Sequence, residues 1–272
     1  MFCSTIIPTI GRASLARAVE SVLSQPLSPE VHEVIVVNDS GKSLPASTWA
    51  GDPRVRIIVT MKHERCFARN TGAAIAHGEY LHFLDDDDWL APGALQALRD
   101  LARQNPSAGF LSGATQLVDR HDKPIILLRS NFAGNCSVQT MAGEWIPLQS
   151  SLVAAKLFFA IGGFNVLIPS SEDIDLLRRI TLVADVASAE DVVAFVGMGV
   201  DNSTTDLDVV VQSVTELVAQ VRGGMAPPAN LALPALGPPR ATDPEHAHDV
   251  FLAWIDGEAA REPEVAAHLL AG

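Results

Sequence analysis

The sequence predicts an α/β protein with a central, mostly parallel sheet flanked by helices, then a small antiparallel region and a helical C-terminal appendage. Three observations carry this. Strand and helix signals alternate through residue 105, the pattern of a layered α/β domain. Val34-Ile35-Val36-Val37 is β-branched or branched aliphatic throughout, as expected of a strand buried on both faces of a parallel sheet. Polar turns follow the strand signals at their carboxyl ends, the edge at which open α/β sheets bind ligands. With 272 residues, 48% of them hydrophobic, the chain can bury a sizeable core.

The first strand is expected over 3–7, ended by Pro8 and followed by the turn Thr9-Ile10-Gly11-Arg12. Ser14 can cap a helix whose apolar residues Leu15, Val19, Val22 and Leu23 fall on one face, ending before Pro26. The strand over 34–37 leads into Asn38-Asp39-Ser40-Gly41, and residues 55–59 repeat the buried-strand signal. An Ala-rich helix over 68–77 stops at Gly78, a strand follows over 80–84, and a helix spans 92–104. Residues 109–118 and 123–128 read as antiparallel strands around Asp119-Arg120-His121-Asp122. A strand over 151–155, a short apolar helix, the turn Gly162-Gly163-Phe164, a helix opening at Ser170-Ser171-Glu172-Asp173 and a strand over 192–196 complete this part. Helical periodicity returns over 205–221, residues 223–244 form a Pro/Gly-rich linker or surface loop, and residues 246–270 read as one or two helices. The expected divisions are therefore 1–105, 106–222 and 223–272.

Acidic residues outnumber basic ones 32 to 19, and a net charge of -13 argues against a nucleic-acid groove or an anionic membrane surface as partner. Cys3, Cys66 and Cys136 are widely spaced with no CxxC pair, so neither a disulfide framework nor a zinc site is expected, and a reducing cytoplasm fits. No stretch approaches the ~20 apolar residues of a membrane span, and the N-terminus lacks the basic-then-apolar pattern of a leader. The expected location is cytoplasmic.

The most informative stretch is Tyr80-Leu81-His82-Phe83-Leu84 followed by Asp85, Asp86, Asp87 and Asp88. Adjacent carboxylates at the end of a buried strand repel one another unless a cation or a set of donors offsets the repulsion. If the strand geometry continues, Asp85 and Asp87 share one face and Asp86 and Asp88 the other. One pair could face a divalent cation while the other caps the helix near Pro92 or bonds within the turn. The competing reading is a solvated acidic turn. His82, inside the strand, reads as a core histidine.

Six pieces, in order, resemble the GT-A glycosyltransferases, and among them the large inverting family 2. They are Ile7-Pro8-Thr9-Ile10-Gly11-Arg12, Val36-Val37-Asn38-Asp39-Ser40-Gly41, Ala68-Arg69-Asn70-Thr71-Gly72, Phe83-Leu84-Asp85-Asp86-Asp87-Asp88-Trp89, Gly162-Gly163-Phe164 and Glu172-Asp173. The resemblance implies a Rossmann-like GT-A sheet, with a nucleotide-sugar-binding half over 1–105 and an acceptor-side half over 106–222. It implies transfer of a sugar from a nucleoside diphosphate donor, a UDP-sugar being expected, to an acceptor hydroxyl or amine on a small molecule, glycan or peptide.

On this resemblance Asp39 accepts from the nucleobase imide in a pocket walled by Pro8, Thr9 and Arg12, and Arg69 reaches the diphosphate. Asp85 lies near the ribose or metal with Asp86 beside it, and Asp87 is the principal ligand of Mn²⁺ or Mg²⁺, which stabilises the leaving group. Asp173 takes the acceptor's proton and Glu172 binds the acceptor. Asp39 as a turn-forming residue, Arg69 as a surface helix residue and Ser-Ser-Glu-Asp as a helix cap are the competing local readings. Where many members carry a metal-binding His, this chain has Asp201 and Asn202. A non-catalytic nucleotide-sugar binder or partner subunit is the alternative function, with a sugar nucleotidyltransferase further behind. A homo-oligomer is compatible with all of these.

Overall fold

The computed structural model describes residues 1–141, 143–168 and 171–197. The helix expected over 205–221, the linker over 223–244, the helices over 246–270, and Asp201 and Asn202 lie outside the described residues. Among the described residues, nine strands form one sheet: β1 (Cys3–Thr9), β2 (His32–Asn38), β3 (Val55–Val59), β4 (Tyr80–Phe83), β5 (Trp89–Leu90), β6 (Ala108–Val118), β7 (Pro124–Leu128), β8 (Ser151–Ala154) and β9 (Asp185–Gly197). Their order is β3-β2-β1-β4-β8-β6-β9-β5, with β7 paired to β6. β3, β2, β1 and β4 are mutually parallel. β8 runs antiparallel to both β4 and β6, and β6 and β7 form the expected hairpin. β9 is parallel to β6, and the two-residue β5, which the sequence did not predict, closes the far edge antiparallel to β9.

Alternation along the central strands feeds two cores. Cys3, Ile7, Val34 and Val36 face α1 (Leu15–Leu23) and α3 (Ala94–Gln104), where Val19, Val22, Leu95 and Leu98 pack. Ile6, Ile35 and Val37 face the other layer, in which Cys66 and Ala73 of α2 (Arg65–Ala74), Phe158 of α5 (Ala155–Ala160) and Leu176 of α6 (Glu172–Thr181) meet. A short α4 (Ser137–Met141) joins this layer. All seven residues of β2 are buried, as a doubly covered parallel strand requires.

Several boundaries differ from expectation for identifiable reasons. β1 continues through Pro8 to Thr9. Its pairing with β4 ends at Ile6, so on that side the missing N–H of Pro8 breaks no ladder. β3 is an edge strand with Ile57 and Val59 exposed rather than a buried one. α2 starts at Arg65 because Glu64, not a Ser or Thr, caps it, its carboxylate accepting from the N–H groups of Cys66 and Phe67 at 2.7 and 2.6 Å. Ser14 holds the N-cap position of α1 without a side-chain cap bond, and Gly93, with φ of 81°, precedes α3, so none of the aspartates caps it. β9 is far longer than 192–196, because Ala187, Ser188 and Ala189 are recruited by pairing rather than by propensity.

Gly78 sets the start of β4. A Cβ there would lie 2.4 Å from the backbone nitrogen of Ser4 and 2.6 Å from the carbonyl oxygen of Tyr80. Backbone cannot retreat as a flexible side chain could, so Gly78→Ala is expected to cost about 3 kcal/mol, read as a lower urea midpoint. A midpoint unchanged from the parent protein would show that β4 can be seated otherwise.

Candidate active site

The carboxyl ends of β1, β2 and β4 open into a cleft of about 570 Å³. Ten of the residues singled out from the sequence line it: Pro8, Thr9, Arg12, Asp39, Arg69, Asp85, Asp86, Asp87, Glu172 and Asp173. Asp88, Trp145 and Gln149 join them. Among the described residues, eight carboxylates and three arginines, Arg12, Arg65 and Arg69, face this space, which makes it negative.

The acidic run does not continue the strand. β4 ends at Phe83, and the N–H of Asp88 donates to the carbonyl of Asp85 at 3.2 Å, closing a four-residue turn. The expected alternation of faces therefore fails. Asp86 and Asp87, at the corners of the turn, both accept from Nη1 of Arg12 at 2.9 Å, and Asp86 also accepts from the hydroxyl of Thr9 at 2.5 Å. Asp85 points away to Nη2 of Arg69 at 2.6 Å and the side-chain amide of Gln149 at 3.0 Å. Asp88 accepts from the N–H of Gly197 on β9. Protein donors thus offset much of the mutual repulsion.

The remainder is visible in the proton affinities. Burial pushes Asp85 up, but Arg69 first, with Arg65 and Gln149, outweighs burial and holds its carboxyl below the usual range. Asp86, Asp87 and Asp88 are all raised, by burial first and by neighbouring aspartates next, and Asp88 most strongly. An acid raised in the folded state is penalised when ionised, so Asp88 reduces stability at neutral pH, and the loss is recovered as pH falls through its raised value. Asp88→Asn keeps an acceptor for Gly197 and removes the charge. It is expected to stabilise the protein by about 1 kcal/mol at pH 7, a rise in Tm of about 2–4 °C that vanishes in acid. A Tm that falls at pH 7 would contradict this.

Arg69, expected at the diphosphate, is 3% exposed and committed elsewhere. Its Nη1 donates to Glu172 at 2.7 Å while Nη2 holds Asp85, so one guanidinium ties the turn after β4 to the start of α6. Burial would lower its proton affinity, but Asp85 and Glu172 outweigh that and raise it. Its placement follows from the two neighbouring motifs. Asn70 donates to the carbonyl of Phe164 at 2.8 Å and accepts from its N–H at 2.9 Å, clamping the turn that precedes α6. Gly163, at φ of 68°, has no Cβ; one would lie 2.7 Å from Oδ1 of Asn70. Phe164 in turn lies edge-on to Phe83 at 4.9 Å and under the Arg69 guanidinium at 5.2 Å.

Asp39 is not the local turn former. Asn38 takes that role, accepting from the N–H and hydroxyl of Ser40 at 3.1 and 2.6 Å. Asp39 instead holds the segment before α2, accepting from the Thr60 hydroxyl at 2.7 Å and the N–H groups of Lys62 and Glu64 at 2.8 and 2.7 Å. Burial would raise its pKa, but these donors outweigh burial and keep it below the usual value.

The start of α6 is not a simple helix cap. Ser171 occupies the N-cap position in the left-handed region at φ of 61° and makes no side-chain cap bond. Glu172 is turned to Arg69. Asp173 accepts from the N–H of Ile174 at 2.9 Å and from Nε1 of Trp145 at 3.1 Å. Burial first, then Glu172, raises its pKa above the ordinary aspartate value, against the lowering effects of Arg69, Ile174 and Trp145. Trp145 and Gln149 carry no sequence signal, since they lie in an irregular stretch without periodicity. Trp89 stacks on Phe195 at 5.4 Å, with the Arg17 guanidinium over its ring. His82 is buried with Nε2 donating to the carbonyl of Gln149, so Nδ1 accepts from Thr5.

A mostly parallel sheet with helices on both faces, an antiparallel second half and an aspartate turn at the carboxyl edge define a GT-A fold glycosyltransferase. The model of glycosyl transferase family 2 matches residues 4–140, half of the chain, and the chain belongs to that family. An uncharacterized glycosyltransferase of Bacillus subtilis, YwdF, is 27% identical over 247 residues, spanning 86% of this chain and 89% of YwdF. The Staphylococcus aureus poly(ribitol-phosphate) beta-N-acetylglucosaminyltransferase TarP is 32% identical over 110 residues, which are 38% of this chain and 34% of TarP. Among solved structures, S. aureus TarS 1–349 in complex with UDP-GlcNAc superposes with a TM-score of 0.65 at 12% identity, covering all of this chain and 76% of that one. The same TarS segment in complex with UDP gives 0.64 at 13% identity, covering 96% of this chain and 72% of that one. At such identity the likeness is one of fold. Among the described residues, no helix is long and apolar enough to cross a membrane.

Proposed function

We propose that this glycosyltransferase transfers a sugar from a UDP-sugar to an acceptor hydroxyl or amine with inversion at the anomeric carbon, assisted by a divalent cation. The observation that carries the reading is the meeting, in one cleft, of the 85–88 turn, Asp39 and Asp173. Asp39 and the segment it anchors form the nucleobase end. Its ionised carboxylate suits the imide N–H of a uracil, with Pro8, Thr9 and Arg12 on the other side. The acceptor oxygen attacks the anomeric carbon from the face opposite the diphosphate, and the carbon–oxygen bond to the phosphate breaks. The acceptor's proton passes to a carboxylate oxygen of Asp173. A base raised above the ordinary aspartate value is better matched to that task.

The lining supports a cation. Eight carboxylates against three arginines would repel a diphosphate, and two of those arginines, Arg12 and Arg69, are paired with aspartates. Among the described residues no three His, Cys, Asp or Glu side chains converge as a ready-made cage. Mg²⁺ and Mn²⁺ do not require one, since one or two carboxylates plus phosphate oxygens and water suffice. Asp87, with its side chain 32% exposed and Arg12 as its cationic partner, would be the principal ligand; Asp85, on the same turn but bonded to Arg69 and Gln149, would be the second. Such an ion, Mn²⁺ or Mg²⁺, would supply Lewis-acid neutralisation of the departing diphosphate.

The test is donor consumption over a panel of nucleotide sugars with Mn²⁺, with the product's anomeric configuration read by proton NMR. One or a few UDP-sugars should be consumed and give the inverted anomer. Retained configuration, or a preference for non-uridine donors, would contradict the proposal.

A further inference from the structure

Trp145 is 41% exposed within the cleft, yet its polar atom is fixed, with Nε1 donating to Asp173 at 3.1 Å. An indole tethered by its N–H beside the proposed base cannot turn freely, so its apolar face is held at a set position next to the reacting hydroxyl. The apolar side chains of Leu148 and Ile174 line the same cleft. Among the described residues no lysine lines it, and each of its three arginines already faces carboxylates: Arg69 holds Asp85 and Glu172, Arg65 lies 3.5 Å from Glu172, and Arg12 holds Asp86 and Asp87. Asp173 itself is negative whenever it can act as a base. With eight carboxylates against three arginines among the described lining residues, a phosphorylated or otherwise anionic acceptor would meet net repulsion here.

We infer that Trp145 is an acceptor platform, and that the acceptor is an uncharged sugar whose C–H face lies on the indole while one hydroxyl reaches Asp173. This deepens the transferase reading and rests on it. A pyranose matches such a surface because its axial C–H groups form an apolar face while its hydroxyls project from the rim. One such ring fits an aromatic face with a carboxylate at its edge, whereas a polyol phosphate offers neither an apolar face nor a neutral charge. Trp145 is then a specificity-determining residue, and its N–H bond also orients Asp173.

The experiment uses the full chain with UDP and diamagnetic Mg²⁺ and saturation-transfer NMR. The probes are the methyl glycosides of glucose, galactose and N-acetylglucosamine, compared with ribitol 5-phosphate and a serine-containing hexapeptide. At least one methyl glycoside should give strong transfer to the protons of one ring face. Trp145→Ala should reduce that signal at least tenfold, and Trp145→Phe, which keeps an aromatic face without the N–H, should retain it within about threefold. Melting midpoints confirm that each variant is folded. The inference is overturned if UDP binds but no methyl glycoside does, if the alanine variant binds as well as the parent, or if ribitol 5-phosphate or the peptide gives the stronger signal. Absence of UDP binding in the parent protein would instead sink the donor reading, and the acceptor platform with it.

Discussion

Asp173→Asn is expected to lower turnover about 10³-fold while leaving the affinity for UDP within about threefold. Asparagine has the same shape and can still accept from Trp145 and Ile174, so the start of α6 should stay in place. What it cannot do is take a proton as the new glycosidic bond forms. The parent enzyme should also lose kcat/KM on the acid side as Asp173 becomes protonated, with a midpoint above the ordinary aspartate value of 3.8. The sign is fixed by the role, because a base works only when deprotonated and a raised pKa moves that loss to higher pH. The groups that set the midpoint are Glu172, which raises it after burial, and Arg69, the N–H of Ile174 and the indole of Trp145, which lower it. Steady-state rates across pH 4–8, with UDP titrations of both proteins, decide the matter. Turnover in the asparagine variant within tenfold of the parent would remove Asp173 as the base.

Arg69→Met is the second large effect, and it falls on stability as well as rate. The substitution leaves Glu172 buried without its closest cation and Asp85 with Gln149 and the more distant Arg65. Removing one member of a buried ion pair typically costs about 3–5 kcal/mol, mostly because the abandoned charge stays desolvated. Urea unfolding should show a loss of that order, and adding Glu172→Gln should recover part of it, since the stranded carboxylate is then neutral. Arg69→Lys should rescue poorly, as one ammonium lacks the forked geometry that reaches both carboxylates. Equal midpoints for Arg69→Met and the parent would show that the strut between β4 and α6 carries no energy.

Much of the parallel half could be read from the chain because burial on both faces leaves an unmistakable residue pattern in 34–37 and 80–84. The residues named from the sequence do meet in one cleft, and those near the ends of β1, β2 and β4 were readable because their motifs sit at strand ends. Their mutual arrangement was not. Nothing in Ala68-Arg69-Asn70 says that Asn70 grips the backbone of Phe164 or that Arg69 ends between Asp85 and Glu172, because the contacts to Phe164 and Glu172 span 94 and 103 positions. The face argument for the aspartates failed for a local reason, as the period of two applies to extended chain and this stretch is a turn. Trp145 and Gln149 were invisible because irregular chain carries no periodicity, and tertiary contacts alone put them in the cleft. Residues 145, 172 and 173 also lie beyond the stretch matched by the family model, so their placement in the cleft rests on the fold.

The proposed function requires that a cleft this acidic accept a uridine diphosphate only through a divalent ion at Asp87. Calorimetric titration of UDP into the protein tests it most directly, with Mn²⁺ and then with the metal chelated, on the parent and on Asp87→Asn. Saturable binding with Mn²⁺, weakened at least tenfold by chelation and by the substitution alike, is the expected result. UDP affinity that is the same with and without metal would contradict it.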